Sequence, residues 1–339
     1  MNIYQVAVII PTLNEEKFIA QCLDSVIAQT FPLTEMDIMV IDGGSKDKTC
    51  AIVNEYHTYY PNIRLLNNPQ KIQSVAFNIG VANSDAPYIV RLDAHATYNS
   101  EYIFLCISHL KANTKRGNVG GGVLIQAQND STWAVCNALL NHSRFGIGGA
   151  TFRVGDKAGN VDTVPFGAFP RRIIEQIGGM REDLPRGEDN EYNSRIHKAG
   201  YEIYYDPNIK IFYYARPTIQ SSCRQMYANG QSIGQLFYID RAAIGLRHLI
   251  PLIFVLGLLL GAVLSAIWHP FLWIYMAGIC IYLLCAFFAA IKATQHHSPK
   301  YILPLLILFP CVHISYGIGT INGLYAGLVY TIRNKYDSK

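Results

Sequence analysis

Two long stretches of this 339-residue chain contain no Asp, Glu, Lys or Arg: residues 249–290 and residues 301–332. The first holds two segments, 249–268 and 271–291, each of about 20 residues, the length at which an apolar helix crosses a bilayer core. Only His269-Pro270 separates them, which leaves room for a tight turn, so the pair reads as a helical membrane hairpin. Trp268, Trp273 and Tyr275 lie near one end, as interface aromatics do. A core hairpin of a large soluble protein would show the same pattern, but the rest of this chain is too small to surround it. Only 15% of the chain is charged, against about 25% in a soluble domain, and residues 1–248 hold nearly all of that charge. The pattern excludes an ordinary cytosolic protein, and equally a polytopic transporter. A net charge of +4 with no basic block argues against a nucleic-acid partner.

The segment 301–330 within the second stretch admits two readings. Arg241 and Arg247 precede the hairpin and Lys292 and Lys300 follow it, so both flanks belong on the cytoplasmic side. Arg333, Lys335 and Lys339 favour the same side, which one further crossing would deny them. A third tilted span is one reading. The other is a re-entrant segment broken near Gly317, Gly319 and Gly323, with Pro304 and Pro310 counting against an uninterrupted helix. At the other end, Met1 to Ile10 has no basic n-region and Pro11 cuts its apolar run short, unlike a signal peptide, so the body is expected in the cytosol. Eight scattered cysteines without a CxxC pair read as reduced thiols, with neither a zinc site nor a disulfide framework.

Within the charged body, short β-rich runs at 6–10, 37–41, 63–66 and 88–92 alternate with helix-period segments at 15–28, 48–57 and 74–82. That alternation predicts right-handed βαβ crossovers and a mostly parallel sheet. Ligands of such sheets sit beyond the carboxyl ends of the strands. Three of the strands end in polar clusters: Thr12-Leu13-Asn14-Glu15, Asp42-Gly43-Gly44-Ser45 and Asp93-Ala94-His95. Residues 117–170 are Gly-rich, with strand character at 123–125 and 161–169, and are expected to wall a pocket; helices follow at 172–177 and 189–199.

Three of these clusters carry chemistry. Asp93 and His95, two apart after a strand, can turn toward one point, and carboxylate plus imidazole suits Mn2+ or Mg2+ bridging a diphosphate; most chance D-x-H pairs are structural. Asp42 can accept hydrogen bonds from a base or a ribose, although Asp-Gly-Gly-Ser alone is more often a turn. Glu188-Asp189, after Gly187, opens a helix where carboxylates meet the helix dipole. The plain reading of that pair is a helix cap with Glu191 as capping-box partner, and the functional one is a general base.

In order, Ile9-Ile-Pro-Thr-Leu-Asn-Glu-Glu16, Ile41-Asp-Gly-Gly-Ser-Lys-Asp-Lys-Thr49, Asp93-Ala-His95 and Gly187-Glu-Asp189 resemble the family 2 inverting glycosyltransferases of the GT-A fold. Arg91-Leu-Asp-Ala-His-Ala96, Phe145-Gly-Ile-Gly-Gly149, Val161-Asp-Thr-Val-Pro-Phe-Gly-Ala168 and Gly187-Glu-Asp-Asn-Glu191 are similar to the succinoglycan-type exopolysaccharide glucosyltransferases within it. The resemblance covers residues 5–240 and reaches loosely into the tail at His313-Ile-Ser-Tyr-Gly317. It implies an α/β GT-A catalytic domain, Rossmann-like with a mostly parallel sheet, over residues 1–240, and a C-terminal α-helical membrane region over 241–339.

The same resemblance implies that Pro11, Asn14 and Glu15 line the nucleotide pocket, that Asp42 meets the uracil or ribose, and that Lys71 lies near the diphosphate. Asp93 and His95 correspond to the D-x-D metal motif, binding Mn2+ or Mg2+, and Asp189 to the catalytic base with Glu188 beside it. His95 in place of a second Asp is a departure shared by the subgroup, whereas Pro69-Gln70-Lys71 stands where the family has a glycine after the third strand. The function implied is transfer of one hexose, glucose by resemblance, from a UDP-sugar to a polyprenyl-diphosphate-linked saccharide at the cytoplasmic face of the inner membrane. The stretches 224–227 and 231–236 would lie amphipathically in the interface. Processive synthases of the family carry Q-x-x-R-W here; Gln220 and Arg224 have other spacing and no Trp follows, which favours single-sugar addition. Rival readings are a polyprenyl-phosphate sugar synthase, with Arg216 and Arg224 as its phosphate clamp, and a non-catalytic sugar-nucleotide sensor, which would have no use for Asp189.

Overall fold

A computed structural model describes residues 4–184 and 186–337. Lys339, one of the three tail bases, lies outside the described residues, and the chain divides into two compact units, residues 1–124 with 151–213 and residues 125–150 with 214–339. Segments 125–150 and 214–240, expected in the catalytic domain, therefore cluster with the apolar helices.

The first unit starts from the strand whose sequence is most apolar. β1 (Val6–Thr12) and β2 (Met36–Asp42) are buried at every residue, as strands covered on both faces must be. They pair in parallel, as do β2 with β3 (Ile63–Asn67) and β1 with β4 (Tyr88–Arg91). Helices α1 (Ile19–Ile27), α2 (Thr49–Tyr59) and α3 (Gln73–Ala82) make the crossovers. After β4 come β5 (Ala96–Tyr98), α4 (Tyr102–Ala112), β6 (Arg116–Gln126), α5 (Thr132–Asn141), α6 (Arg144–Ile147) and α7 (Thr151–Val154). Then follow β7 (Gly159–Val161), β8 (Ala168–Pro170), α8 (Arg171–Ile177), α9 (Glu188–Lys198) and β9 (Glu202–Tyr214).

The sheet order is β3-β2-β1-β4-β8-β6-β9-β5, with β7 pairing β9. The chain runs outward from β1 through β2 to β3, then returns to place β4 on the other side of β1. This reversal opens a crevice at the carboxyl ends of β1 and β4. Beyond β4 the pairing turns antiparallel, β8 on β4 and β5 on β9. The strand expected over 161–169 is two short strands separated by a loop, because Phe166 and Gly167 both take positive φ (61° and 81°). A core of Ile9, Met39, Phe77, Phe169, Tyr192 and Ile203, with their neighbours, fixes α3, α8 and α9 on the sheet.

In the second unit, α10 (Ile219–Ile239), α11 (Ile250–Ile267), α12 (Phe271–Ala293) and α13 (Ile302–Asp337) join α5 and α6. Three segments, Leu246–Ile267, Phe271–Ala293 and Pro299–Ile332, are long and apolar enough to cross a membrane. α11 and α12 form the expected hairpin: the Phe254 and Tyr282 rings stack 4.4 Å apart, and the Tyr275 hydroxyl donates to the Leu258 carbonyl at 3.2 Å. Tyr275 therefore packs inside the hairpin, while Trp268 and Trp273 are exposed, as interface aromatics would be.

Of the two readings of 301–330, the broken one does not hold: α13 has no break near Gly317, Gly319 and Gly323 and runs unbroken through Pro310. Pro304 sits in the first turn, where its missing N–H costs nothing. The glycines are contact points: a Cβ on Gly319 would run into the Tyr227 carbonyl, one on Gly323 into that of Gln231, and one on Gly317 into that of Pro251. Small residues let helix backbones approach this closely. His313 of α13 bonds the Tyr282 hydroxyl through Nδ1 at 2.9 Å and the Phe145 and Gly146 carbonyls through Nε2 at 2.8 and 3.0 Å, which ties α6 to the hairpin.

Candidate active site

The loops after β1 and β2 are bolted together where the two strands end. Asn14 takes φ 55°, a conformation Asn tolerates better than most residues. Its N–H donates to Ser45 Oγ at 2.7 Å, and its Oδ1 accepts from the Lys46 N–H at 2.8 Å. The Glu15 N–H donates to Thr49 Oγ1 at 2.8 Å, and Glu16 exchanges hydrogen bonds with the 47–48 segment. These bonds hold residues 14–16 in a loop, and α1 begins at Ile19 and not at Glu15. Pro11 is buried in β1. The buried Asp42 carboxylate accepts from the Gly44 N–H, the Ser45 N–H and the Ser45 hydroxyl at 2.8, 2.9 and 2.5 Å, and so secures its own turn. Lys71, at φ 61°, lies beside that turn, and the Asn68 N–H donates to the Asp42 carbonyl at 2.7 Å.

Past β4, three site residues meet. His95 Nδ1 lies 3.0 Å from both Asp93 Oδ1 and Glu15 Oε1, and its Nε2 meets the Tyr213 hydroxyl closely. The Tyr213 ring packs edge-on to the imidazole at 4.8 Å, and the Asp93 N–H donates to the Tyr98 hydroxyl at 2.6 Å. Burial works against charge on His95, but Asp93 and Glu15 outweigh it and push the imidazole up to about 12. Burial would likewise raise Asp93, yet His95 and Arg91 hold it below the usual carboxylate range. Two carboxylates and an imidazole are the donor types a hard divalent cation takes. Nδ1 of His95 is buried without hydrogen-bond geometry to either acid, and it becomes a ligand only when its proton is displaced. The donor set fits such an ion in its chemistry, although among the described residues no three ligands are already arranged around one.

The third part of the site turns on a residue the sequence reading gave no role. Arg91 ends an otherwise apolar strand and is 3% exposed. Its guanidinium donates to Glu188 Oε1 at 3.2 Å, to Asp189 Oδ1 at short range and to Gln73 Oε1 at 3.2 Å. The Phe166 ring lies 5.8 Å from it. Gly187, at φ 85°, turns the chain into α9 and delivers both acids to this fork. Neither acid caps the helix, and Glu191 pairs with Arg195 at 2.8 Å, so the capping-box reading does not hold. Burial pushes Asp189 up to about 7; Arg91 pulls against the rise, and the charges of Glu188 and Asp93 add to it. Asp189 stays 30% exposed, so it is a carboxylate near neutrality that a hydroxyl can reach. A charged residue closing an apolar strand was the sequence signal for Arg91, since buried arginine requires paired acids.

Comparisons with known proteins give the family and the fold. Residues 7–178 match the profile of "Glycosyl transferase family 2". The succinoglycan biosynthesis protein ExoA of Rhizobium meliloti is 30% identical over 262 residues, 77% of this chain and 78% of that protein. A Methanococcus voltae protein named as a dolichyl N-acetyl-α-D-glucosaminyl phosphate 3-β-D-2,3-diacetamido-2,3-dideoxy-β-D-glucuronosyltransferase is 29% identical over 329 residues, 94% of this chain and 98% of that one. Among solved structures, a mannosyltransferase from Pyrobaculum calidifontis, in complex with GDP-Man and Mn2+, superposes with a TM-score of 0.63 at 18% identity, covering 94% of this chain and 87% of its own. That likeness establishes the GT-A-like α/β fold.

Proposed function

Because the chain belongs to glycosyl transferase family 2, we propose that it transfers one hexose from a UDP-sugar, with inversion, to a saccharide on a polyprenyl diphosphate at the cytoplasmic face of the cell membrane. What carries this reading is Asp189: a carboxylate held by a buried arginine, raised to about 7, within the electrostatic reach of Asp93. Asp189 takes the proton of the acceptor hydroxyl as its oxygen attacks the anomeric carbon. The bond from that carbon to the diphosphate oxygen breaks, and UDP leaves with the electron pair. Attack opposite the leaving group turns an α-linked donor into a β-glycoside. Glu188 and Arg91 orient the base and set its charge.

Pro11, Asn14, Glu15 and Asp42 are assigned to the nucleotide and Lys71 to the diphosphate, from the ends of β1 and β2 and the loops beyond β1 and β3. Asp93 and His95 would hold a divalent cation, Mn2+ or Mg2+, which when bound neutralises charge on the departing diphosphate. The relatives support the acceptor class: one is named for succinoglycan biosynthesis and the other for a dolichyl-phosphate-linked saccharide. The succinoglycan-type resemblance supports glucose as the sugar, and the hairpin supports an acceptor held in the bilayer. The test is to give membranes containing the protein a panel of radiolabelled UDP-sugars. Label from UDP-glucose in a lipid-extractable diphosphate oligosaccharide supports the reading. Label confined to a lipid monophosphate would overturn it in favour of a polyprenyl-phosphate sugar synthase.

A further inference from the structure

α13 has 36 residues and is about 54 Å long at 1.5 Å per residue, against about 30 Å for a bilayer core. Its length alone suits a steep span or a helix lying along the surface. Its neighbours decide between them. α13 meets the hairpin near the open end, away from the turn at 268–270. His313 bonds Tyr282, whose ring stacks on Phe254, the fifth residue of α11. Gly317 abuts the backbone of Pro251, the second. Toward the turn, Gly261 is filled by the hairpin's own Tyr275, and Leu259, Leu260, Val263 and Ile274 are exposed. α13 therefore leaves the turn half of the hairpin uncovered.

Past Gly317, α13 runs alongside α10 in the same direction, Gly319 on Tyr227, Gly323 on Gln231 and Gly327 on Tyr238. Gln231 also donates to Asn322 at 3.0 Å. α10 carries Gln220, Arg224, Gln225, Asn229 and Gln235, and it is absent from the helices apolar enough to cross a membrane. The part of α13 packed on α10, from Gly319 to Gly327, shares the surroundings of α10. Taking α13 across would draw these amides and a guanidinium into hydrocarbon, at a cost of about 2.5 kcal/mol or more for the arginine alone. On the side of α13 turned away from α10, Ile318, Ile321, Tyr325, Leu328 and Ile332 are all exposed, spaced three and four residues apart. That spacing makes one apolar stripe.

From this juxtaposition we propose that α10 and α13 form a paired platform lying in the lipid interface at the open end of the hairpin. The stripe sinks into the headgroup–acyl boundary, and the C-terminus stays on the side of Arg241, Arg247, Lys292 and Lys300. All basic flanks then share one side, which meets the positive-inside rule that a third crossing would break. The proposal rests on the membrane reading of α11 and α12 and is independent of the transfer chemistry.

The test places an epitope tag after Lys339, or within the His269-Pro270 turn, of the full-length chain. Protease accessibility is read in spheroplasts and in inverted vesicles, with sugar transfer confirming that each protein folds. Expected is a C-terminal tag cleaved only in inverted vesicles and a turn tag cleaved only in spheroplasts. Both tags cleaved in spheroplasts alone would overturn the platform and establish a third span. Both cleaved in inverted vesicles alone would show that the hairpin does not span, and the proposal would fall with the membrane reading.

Discussion

Replacing Arg91 with methionine removes a positive charge from between Glu188 and Asp189 while keeping most of the side-chain volume. Two unit charges about 4 Å apart at an effective dielectric near 20 interact by about 4 kcal/mol, or about 3 pK units at 1.36 kcal/mol each. Asp189 is 30% exposed, so water screens part of this, and about 2 units is the expected upward shift. A base works deprotonated, so wild-type kcat/KM should rise with pH through about 7 and then level off. In Arg91→Met that limb should move to about 9, with roughly 100-fold less activity at pH 7 and recovery at higher pH, since 1.36 kcal/mol is a factor of ten. Arg91→Lys keeps the charge but cannot bridge both acids, so its limb should stay within about one unit of wild type. The assay is the initial rate of label transfer between pH 5.5 and 10, with UDP-sugar binding measured alongside to show that the site is intact. A limb still at about 7 in Arg91→Met, with binding retained, would refute the electrostatic role assigned to this arginine.

Other substitutions probe the remaining parts. Asp189→Asn should lower transfer by roughly 10²–10⁴-fold with UDP-sugar binding unchanged in a titration; transfer near the wild-type rate would remove Asp189 as base. Chelation should abolish transfer and added Mn2+ or Mg2+ should restore it, whereas Asp93→Asn should not be restored at the same ion concentration. Gly323→Leu inserts a side chain against the Gln231 carbonyl, and overpacking of this kind costs roughly 1–3 kcal/mol or more. Its melting temperature in detergent should fall, and an unchanged value would argue against close α10–α13 packing.

The parallel half of the sheet was legible because its signals are local. Uninterrupted apolar runs such as Val6-Ala-Val-Ile-Ile10 mark strands buried on both faces, and the polar clusters after them mark the loops. The motif order then pointed to Asp93, His95 and Asp189. Arg91 was legible only as a charge closing an apolar strand, a signal that does not tell water from two buried acids as its partner. Tyr213 was hidden for a similar reason: aromatics are common in long strands, and only the pairing of β5 with β9 brings it to His95. The glycines of α13 suit a broken segment or a span equally well from composition, because the use of Gly319 and Gly323 is set by α10, some 90 residues earlier in the chain. The placement of 125–150 with the apolar helices likewise depends on contacts such as His313 with Phe145, which no local pattern announces.

The central claim, single-displacement transfer driven by one base, is tested most directly by the stereochemistry of the product. Lipid-linked product made from an α-linked UDP-sugar should carry the new hexose as a β-glycoside, read from its anomeric proton coupling and from its cleavage by a β-specific glycosidase alone. An α-linked product would mean attack on the face the diphosphate leaves, and would contradict in-line displacement.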